Sequence, residues 1–317
     1  MELINLNQIP KSALHSIVAI GNFDGVHLGH RKVINKAKKI SNAQKKKLSI
    51  ITFEPHPKCF FKKEFKKFRI TPFRKKFEEI KNLGVNYYFN FKFTQNFSKM
   101  SAEEFIEDIL IKKMKVSYLI TGFDFVFGHK QSGTVELLNK YSVKHNKFNF
   151  ISVKEFKKQN VRNVSSSEIR TFLKEGDLKK AKQILGRDWS IISRVMRGKG
   201  IGKDLGFPTA NLFINNYCEL KYGVYAVEIN LKNNLKNCFF GIANYGIKPT
   251  FSKSEPVLEI HFFDFDKNIY SELIEVTFKF FIREERKFEN IEQLKSQISK
   301  DILNCKKYFN EKSFTNN

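Results

Sequence analysis

The feature that most constrains the fold of this chain is a change of hydrophobic periodicity close to Gly186. Before that point, short apolar segments such as residues 16–21 and 48–53 alternate with helix-like stretches. One of these stretches begins with Ser101 and Glu104, which are spaced as a capping box. Strands that alternate with helices in this way are typical of a mostly parallel sheet with helices on its faces. Residues 1–186 are therefore predicted to form an α/β, Rossmann-like domain.

After Gly186 the apolar residues fall at every second position, as in residues 225–231 and 273–280. One apolar and one polar face per strand is typical of antiparallel sheets, which form barrels or sandwiches. Apolar residues at helical spacing predict a final helix, namely Ile291, Leu294, Ile298 and Ile302. Residues 187–317 are therefore predicted to form an antiparallel β-barrel with a C-terminal helix, and the domain boundary is expected near residues 186–190.

The strongly basic composition bears on the partner. Lys and Arg number 57 and Asp and Glu number 32, which gives a net charge of +25. This charge favours nucleic acid, a membrane surface or phosphorylated small molecules as partners. A general drift of composition towards Lys and Phe, of which there are 34, explains the charge better than a dedicated polyanion surface.

The sequence gives no sign of a membrane or secreted protein. No apolar run reaches the roughly 18 residues of a spanning helix, and the first residues lack the basic-then-apolar order of a secretory signal. Four scattered cysteines without a CxxC pair suit a reducing compartment. A cytoplasmic protein without a membrane partner is expected.

The motif GNFDGVHLGH (residues 21–30) follows the first predicted strand and opens the first predicted helix. Gly21 and Gly25 allow the backbone to approach a ligand, and the amide groups of a helix N-terminus bind phosphate. His27 and His30 share a face of the first turn, where they can stabilise charge during phosphoryl transfer. The alternative is a glycine turn with two incidental histidines, but this pair in a strand–turn–helix favours a functional site.

Two further segments of the first half have both a structural and a functional interpretation. In VSSSEIR (164–170), Ser165 and Glu168 form a possible capping box, whereas Ser165, Ser166 and Arg170 could together hold a triphosphate. In ITFEPHP (51–57), His56 lies between two prolines, where it is either an exposed ring on a rigid turn or a contact to a nucleotide.

The second half contains a glycine-rich loop with interspersed lysines, which is not a Walker loop because no GK[ST] opens a helix. A glycine-rich hairpin is the alternative interpretation. Thr209 and Asn211 follow this loop on the same side of a predicted strand, and together they could coordinate Mg²⁺ on nucleotide phosphates. Glu259 lies on the polar face of a later strand, as do Glu228 and Glu275, and the pattern alone does not distinguish the three.

Seven segments in this order resemble the bacterial bifunctional riboflavin kinase/FMN adenylyltransferase (FAD synthetase) family, and the resemblance covers nearly the whole chain. The segments are GNFDGVHLGH, ITFEPHP, TGFDFVFGHKQSG (121–133), VSSSEIR, GKGIGKDLGFPTANL (198–212), GIANYGIKPTF (241–251) and VLEIHFFDF (257–265). The terminal KFENIEQLKSQISKD (287–301) agrees as well.

The resemblance implies two reactions, with riboflavin, FMN and ATP as partners and FMN and FAD as substrates or products rather than prosthetic groups. The C-terminal domain would phosphorylate riboflavin with ATP and Mg²⁺. The N-terminal domain would join FMN to the AMP part of a second ATP, with release of pyrophosphate. Nucleic acid and membrane are not expected as partners, and weak self-association stays open.

The same resemblance assigns roles to individual residues. It implies that His27 and His30 are catalytic in the N-terminal domain and that Glu259 is the general base of the kinase. ATP and phosphate binding in the adenylyltransferase falls to Gly21, Asn22, Phe23, His56, Asp124, Ser165, Ser166 and Arg170. In the kinase, phosphate binding falls to Gly198, Gly200, Gly202, Gly206 and Asn211, and the Mg²⁺ ligands are Thr209 and Asn211.

The chain departs from the family pattern at three positions, where Val126, Gln131 and Lys248 replace arginines. Lys248 keeps the charge but not the planar fork that binds phosphate. Two rival functions stay open: a basic nucleic-acid-binding protein, motivated by the charge, and a riboflavin kinase with an inactive first domain.

Overall fold

The structure, a computed structural model, describes residues 1–63, 66–156, 164–198, 200–247 and 255–314. At residues 201, 203, 234–237 and 311–314 the backbone alone is described. The chain divides into two compact units, Met1–Ser166 and Ser167–Asn317. Within the described residues, no helix is both long and apolar enough to cross a membrane.

The first unit is built on a six-stranded sheet. Its strands are β1 (Glu2–Ile4), β2 (Ile17–Ile20), β3 (Leu48–Glu54), β4 (Tyr87–Lys92), β5 (Tyr118–Gly122) and β6 (Asn149–Val153). They are all parallel and lie in the order β1-β4-β3-β2-β5-β6. Strands β3 and β4 are added on one side of β2, and strands β5 and β6 are then added on its other side. Such a switch of direction leaves a crevice at the carboxyl ends of the strands, where α/β proteins bind ligands.

Helices connect these strands and cover the sheet. They are α1 (Leu28–Ala43), α2 (Pro57–Lys62), α3 (Phe73–Lys81), α4 (Gln95–Ser98), α5 (Ala102–Glu104), which continues as a π-helix (Phe105–Lys113), and α6 (Val135–His145). Short 3₁₀ turns span Lys11–Ala13 and His129–Gln131. The predicted capping box is confirmed, because Ser101 Oγ accepts from Glu104 N (3.0 Å) and Glu104 Oε2 accepts from Ser101 N (2.7 Å).

Both faces of the parallel sheet are buried, as expected for this class. On β2, Ile17 and Ala19 pack into one apolar cluster with α1, whereas Val18 and Ile20 pack into a second cluster on the other face. Each face therefore has its own core, and the carboxyl edge of the strands is left for a site.

The second unit contains a six-stranded antiparallel sheet. Its strands are β7 (Ser190–Arg194), β8 (Ala210–Leu212), β9 (Gly223–Leu231), β10 (Asn234–Ile247), β11 (Pro256–Phe262) and β12 (Leu273–Arg283). They lie in the order β7-β12-β9-β10-β11-β8. The remaining helices are α7 (Ser166–Glu175), which begins at the last residue of the first unit, α8 (Leu178–Leu185), α9 (Ile201–Asp204) and α10 (Ile291–Phe314).

This sheet closes on itself where its two edge strands meet. Just after β7, Met196 pairs with Asn211 of β8, and Met196 N donates to Asn211 O at 2.9 Å. The interior is filled by large side chains, with the Trp189 and Phe278 rings stacked at 5.0 Å. On the outer face, α10 packs Cys305 and its neighbours against β9 and β10. The predicted fold class, a parallel Rossmann-like domain followed by an antiparallel barrel with a C-terminal helix, is confirmed.

Helices α7 and α8 fall in the second unit. Lys221 N donates to Leu173 O of α7 at 3.0 Å, and Lys182 of α8 forms an ion pair with Asp188 at 2.8 Å. Helix α8 also packs on β12, and its Ala181, Ile184 and Leu185 are fully buried. The boundary predicted near residues 186–190 would instead assign these two helices to the first domain. That boundary stays a prediction.

The role of the two helices can be measured on fragments. We expect residues 187–317 to be less stable than residues 166–317 by about 3–5 kcal/mol, because burial of one Leu or Ile side chain stabilises by about 1.5–3 kcal/mol. Urea unfolding of the two fragments, followed by circular dichroism, gives the difference. Equal free energies of unfolding would instead support the boundary near residue 186.

Candidate active sites

The loop between β2 and α1 carries the histidine pair at the carboxyl edge of the sheet. His27 is buried and is the N-cap of α1, where its Nδ1 accepts a hydrogen bond from His30 N at 3.3 Å. The two imidazole rings stack with centroids 3.6 Å apart, and Phe23 contacts His30 edge-on at 5.4 Å. Since Nδ1 of His27 accepts, its proton is on Nε2, which makes the ring a hydrogen-bond donor at that atom.

The backbone of this loop is strained. Gly25 has φ of 89°, and a Cβ there would lie 3.2 Å from Ile70 Cδ1. Phe23 and Val26 adopt the left-handed region although they are not glycine, with φ of 48° and 43°. Non-glycine residues in this region cluster at functional sites, where the surrounding structure holds them.

Asp24 fixes the loop in place. It is buried, and its carboxylate accepts from Ile70 N (3.2 Å) and Thr71 N (3.0 Å). Its backbone carbonyl accepts a hydrogen bond from Ser166 Oγ at 2.8 Å. The structure therefore brings Ser166, from the predicted motif VSSSEIR, next to the predicted motif at residues 21–30.

A buried charged cluster lies beneath the same loop. Lys76 is fully buried and donates to Glu54 Oε1 at 2.9 Å and to Asn22 O at 3.4 Å, while Arg69 pairs with the other oxygen of Glu54. Burial lowers the pKa of Lys76 from its usual value, although the charge of Glu54 acts in the opposite direction. Among the described residues, nothing donates to the buried Oδ1 of Asn22. The cluster thus joins the β2–α1 loop to the end of β3 and leaves an amide oxygen for a ligand.

His56 repeats the arrangement of His27 at the end of β3. It is buried, it is the N-cap of α2, and its Nδ1 accepts from Lys58 N at 3.1 Å. Phe68 contacts the ring at 5.1 Å. The turn predicted for this segment is present, but its ring is buried rather than exposed, and contact with ATP stays a prediction.

The other residues assigned to the adenylyltransferase lie on two segments. Asp124 is exposed after β5, the neighbour of β2, on the same loop as Val126 and Gln131. Ser165 immediately precedes α7, and Arg170 is half-buried one turn after Ser166 on that helix. Their roles stay predictions.

In the second unit, three polar residues form a row across neighbouring strands. Asn211 of β8 is directly opposite Glu259 of β11, which in turn is opposite Asn244 of β10. Opposite residues of antiparallel strands point to the same face. The amide oxygens of both asparagines are buried and accept no hydrogen bond from the described residues. A carboxylate between two unsatisfied amide oxygens is an arrangement that a polar ligand would satisfy.

The glycine-rich loop folds back onto this row. A Cβ on Gly198 would lie 2.4 Å from Asn211 Nδ2, and one on Gly202 would lie 2.6 Å from Phe207 O and 3.0 Å from Thr209 Oγ1. Only glycine permits these approaches. The structure therefore brings the loop together with both predicted Mg²⁺ ligands.

The loop is not a simple hairpin, because it contains the short helix α9. Gly200 and Gly206 flank this helix with φ of 82° and 90°, which is the left-handed region that glycine enters without strain. Lys248, the third departure from the family pattern, lies outside the described residues.

The other two polar-face glutamates differ from Glu259 in their surroundings. Glu228 forms an ion pair with Lys279 at 2.9 Å. Glu275 accepts from Ser190 Oγ at 3.0 Å and pairs with Lys232 at 3.3 Å. Both are paired with lysines, whereas Glu259 is the one that lies opposite two asparagines, Asn211 and Asn244.

Two family models cover this chain in succession. The FAD synthetase model matches residues 9–168, and the riboflavin kinase model matches residues 185–309. The chain belongs to the bifunctional riboflavin kinase/FMN adenylyltransferase family. The resemblance predicted from the motifs is thereby confirmed, with both enzyme domains present.

Members of the bifunctional riboflavin kinase/FMN adenylyltransferase family match over nearly their full length. That of Buchnera aphidicola subsp. Schizaphis graminum is 41% identical over 98% of this chain and 99% of its own. That of Bacillus subtilis is 36% identical over 95% of each chain. A crystal structure of macrolide-efflux protein from Streptococcus pneumoniae has a TM-score of 0.82 at 27% identity, covering 94% of this chain and 97% of that one.

Sequence reasoning missed three residues in these sites. Asp24 and Asn244 stand inside motifs that were recognised, but their partners are distant in the sequence or on a neighbouring strand. Lys76 lies in a helix rich in lysine, and nothing in the pattern distinguishes it from the exposed lysines of the same chain.

Proposed function

We propose that this chain phosphorylates riboflavin to FMN in its second unit and adenylylates FMN to FAD in its first. The observation that carries the proposal is the row of Asn211 and Glu259 beneath the glycine-rich loop. Together with the loop, this row would supply a base, an oxygen ligand and backbone amides in one place. The stacked histidines at the N-terminus of α1 support the second activity.

In the kinase, Glu259 takes the proton of the riboflavin 5′-hydroxyl as that oxygen attacks the γ-phosphorus of ATP. The bond from the γ-phosphorus to the β–γ bridging oxygen breaks, and ADP leaves. The backbone around Gly198 and Gly202 holds the phosphates. Asn211 Oδ1, buried without a described donor, and the Thr209 hydroxyl fit Mg²⁺, which neutralises phosphate charge when bound.

In the adenylyltransferase, a phosphate oxygen of FMN attacks the α-phosphorus of ATP and pyrophosphate leaves, so no protein nucleophile is needed. His27 and His30 donate hydrogen bonds to phosphate oxygens as their charge increases, next to the amide groups that open α1. Asn22, His56 and Asp124 would contact ATP beside them, together with the segment of Ser165, Ser166 and Arg170.

The other parts of the proposal concern location and partners. We expect a cytoplasmic protein that acts on small molecules rather than on nucleic acid or membrane. All four cysteines are free thiols, which agrees with a reducing compartment. The net charge of +25 is the observation in favour of nucleic acid. Submicromolar binding of generic RNA with a steep salt dependence would support that rival.

Incubation with riboflavin, ATP and Mg²⁺, followed by chromatography, tests the proposal. We expect FMN to form first and FAD after it, and we expect EDTA to stop FMN formation, because the kinase phosphates need their metal. Supplied FMN should give FAD without riboflavin. Unchanged riboflavin would contradict the proposal, and FMN without FAD would favour the kinase with an inactive first domain.

A further inference from the structure

Asn244 of β10 has no role in the reactions described so far, although it stands beside the proposed base. It is opposite Glu259 on one side and opposite Val224 of β9 on the other. Its amide oxygen is buried, and no described residue donates to it. Leaving a buried acceptor without a hydrogen bond is unfavourable, so the position is suited to a ligand that brings a donor.

The register across the sheet gives the order of the groups that a substrate would meet. The row Asn211, Glu259, Asn244 lies on the outer face of the barrel, because the residues that alternate with it, such as Leu258 and Ala243, are buried inside. Neighbouring strands are about 4.8 Å apart, so the two asparagines are separated by about 10 Å across the sheet. That separation is too large for both to bind one Mg²⁺ at about 2.1 Å.

The row also ends at Asn244. The next residue across the sheet is Val224, which is buried under α10 in an apolar cluster with Ala226, Ile242 and Cys305. Along this row, polar side chains are therefore available on β8, β11 and β10 and are replaced by an apolar side chain on β9.

We propose that Asn244 binds a secondary hydroxyl of the ribityl chain of riboflavin. This inference rests on the proposed kinase function. The phosphates are held on the Asn211 side, and the reacting 5′-hydroxyl must lie at Glu259. The remainder of the ribityl chain leads away from the phosphates, which places it over β10. There a hydroxyl donates to Asn244 Oδ1 and can accept from Nδ2, so Asn244 selects substrates with a hydroxylated chain.

The test compares riboflavin with its 4′-deoxy and 3′-deoxy analogues in the full-length protein. For the wild type, we expect kcat/KM for riboflavin to exceed that for at least one analogue by about tenfold, the value of one hydrogen bond. In Asn244→Leu, which keeps the size and removes both polar atoms, that preference should fall to about one. The loss should come from riboflavin, while the rate with the analogue stays nearly the same.

Asn230→Leu is the matched control. Asn230 is also a half-buried asparagine on the same face of this sheet, but it is paired with Cys238 and Glu275, away from the row. This variant should keep the wild-type preference. A merely structural role for Asn244 would lower kcat/KM equally for riboflavin and both analogues, and that result would overturn the proposal.

A second variant and a second assay complete the test. If Asn244→Leu is insoluble, Asn244→Ser, which is smaller and polar, replaces it. We expect this variant to lose at least half of the preference for riboflavin over the deoxy analogue, measured on a logarithmic scale. An unchanged preference would refute the proposed role of Asn244. Conversion of supplied FMN to FAD should be unaffected in every variant. A wild-type protein that makes no FMN would refute the proposed kinase function. A wild-type protein that makes FMN, together with a variant that keeps the preference for riboflavin, would refute only the role of Asn244.

Discussion

His30→Ala will lower FAD formation from supplied FMN by about 10²–10³-fold, the usual effect of removing one preorganised charge-stabilising donor. FMN formation from riboflavin will stay nearly unchanged, because the kinase residues lie in the other unit. The structure places His30 in the first turn of α1, stacked on His27 at 3.6 Å and in contact with Phe23. Separate assays with riboflavin and with FMN measure the two rates.

Misfolding of the first unit could produce the same pattern, so a control is needed. His145→Ala removes another stacked histidine of that unit, since His145 lies on Tyr141 at 4.9 Å at the end of α6. This variant should keep both activities. Thermal melting of His30→Ala should resemble that of the wild type. An equal loss of both activities, or a melting transition lost from the first unit, would show that His30 is structural.

Glu259→Gln will lower FMN formation by about 10²–10⁴-fold, because glutamine keeps the size and the hydrogen bonds of the side chain but cannot take the proton of the 5′-hydroxyl. Glu259 lies between two asparagines whose amide oxygens accept nothing from the described residues. Glutamine has the same size and Glu259 is only half-buried, so the fold should survive. Adenylylation of supplied FMN should continue at the wild-type rate.

Glu228→Gln and Glu275→Gln are the matched controls on the same barrel. Each removes an ion pair with a lysine, Lys279 or Lys232, and each should cost at most about 1 kcal/mol of stability. Their kinase rates should remain close to the wild type. If Glu259→Gln behaves like these two variants, Glu259 is not the base.

Periodicity was sufficient to predict both architectures, because a strand buried on two faces and a strand buried on one differ in their residue pattern. It did not assign α7 and α8 to a unit. An amphipathic helix such as α8 shows which of its faces is buried, but not whether that face meets the parallel sheet or β12. The boundary near residues 186–190 rests on the change of pattern alone and stays a prediction.

The geometry of the candidate sites was predictable where a motif is local, and it was missed where a contact is distant in the sequence. His27 and His30 are three residues apart, and helical geometry alone places them side by side. Asp24 accepts a hydrogen bond from Thr71 N, and Asn244 is opposite Glu259 on the neighbouring strand. Cross-strand register decides the second case, and register depends on pairings that no short segment of sequence contains.

The bridge between Met196 and Asn211 joins the two edges of the barrel sheet next to the proposed phosphate site. The backbone carbonyl of Asn211 accepts the hydrogen bond that joins the two edge strands, while its side chain faces the proposed phosphate site. Any thermal motion that separates the two edge strands would also move the Asn211 carboxamide away from a bound nucleotide. A ligand that binds only the closed form stabilises that form, and the stabilisation increases with ligand concentration and affinity. Nucleotide binding is therefore expected to raise the mechanical stability of the barrel in this unit.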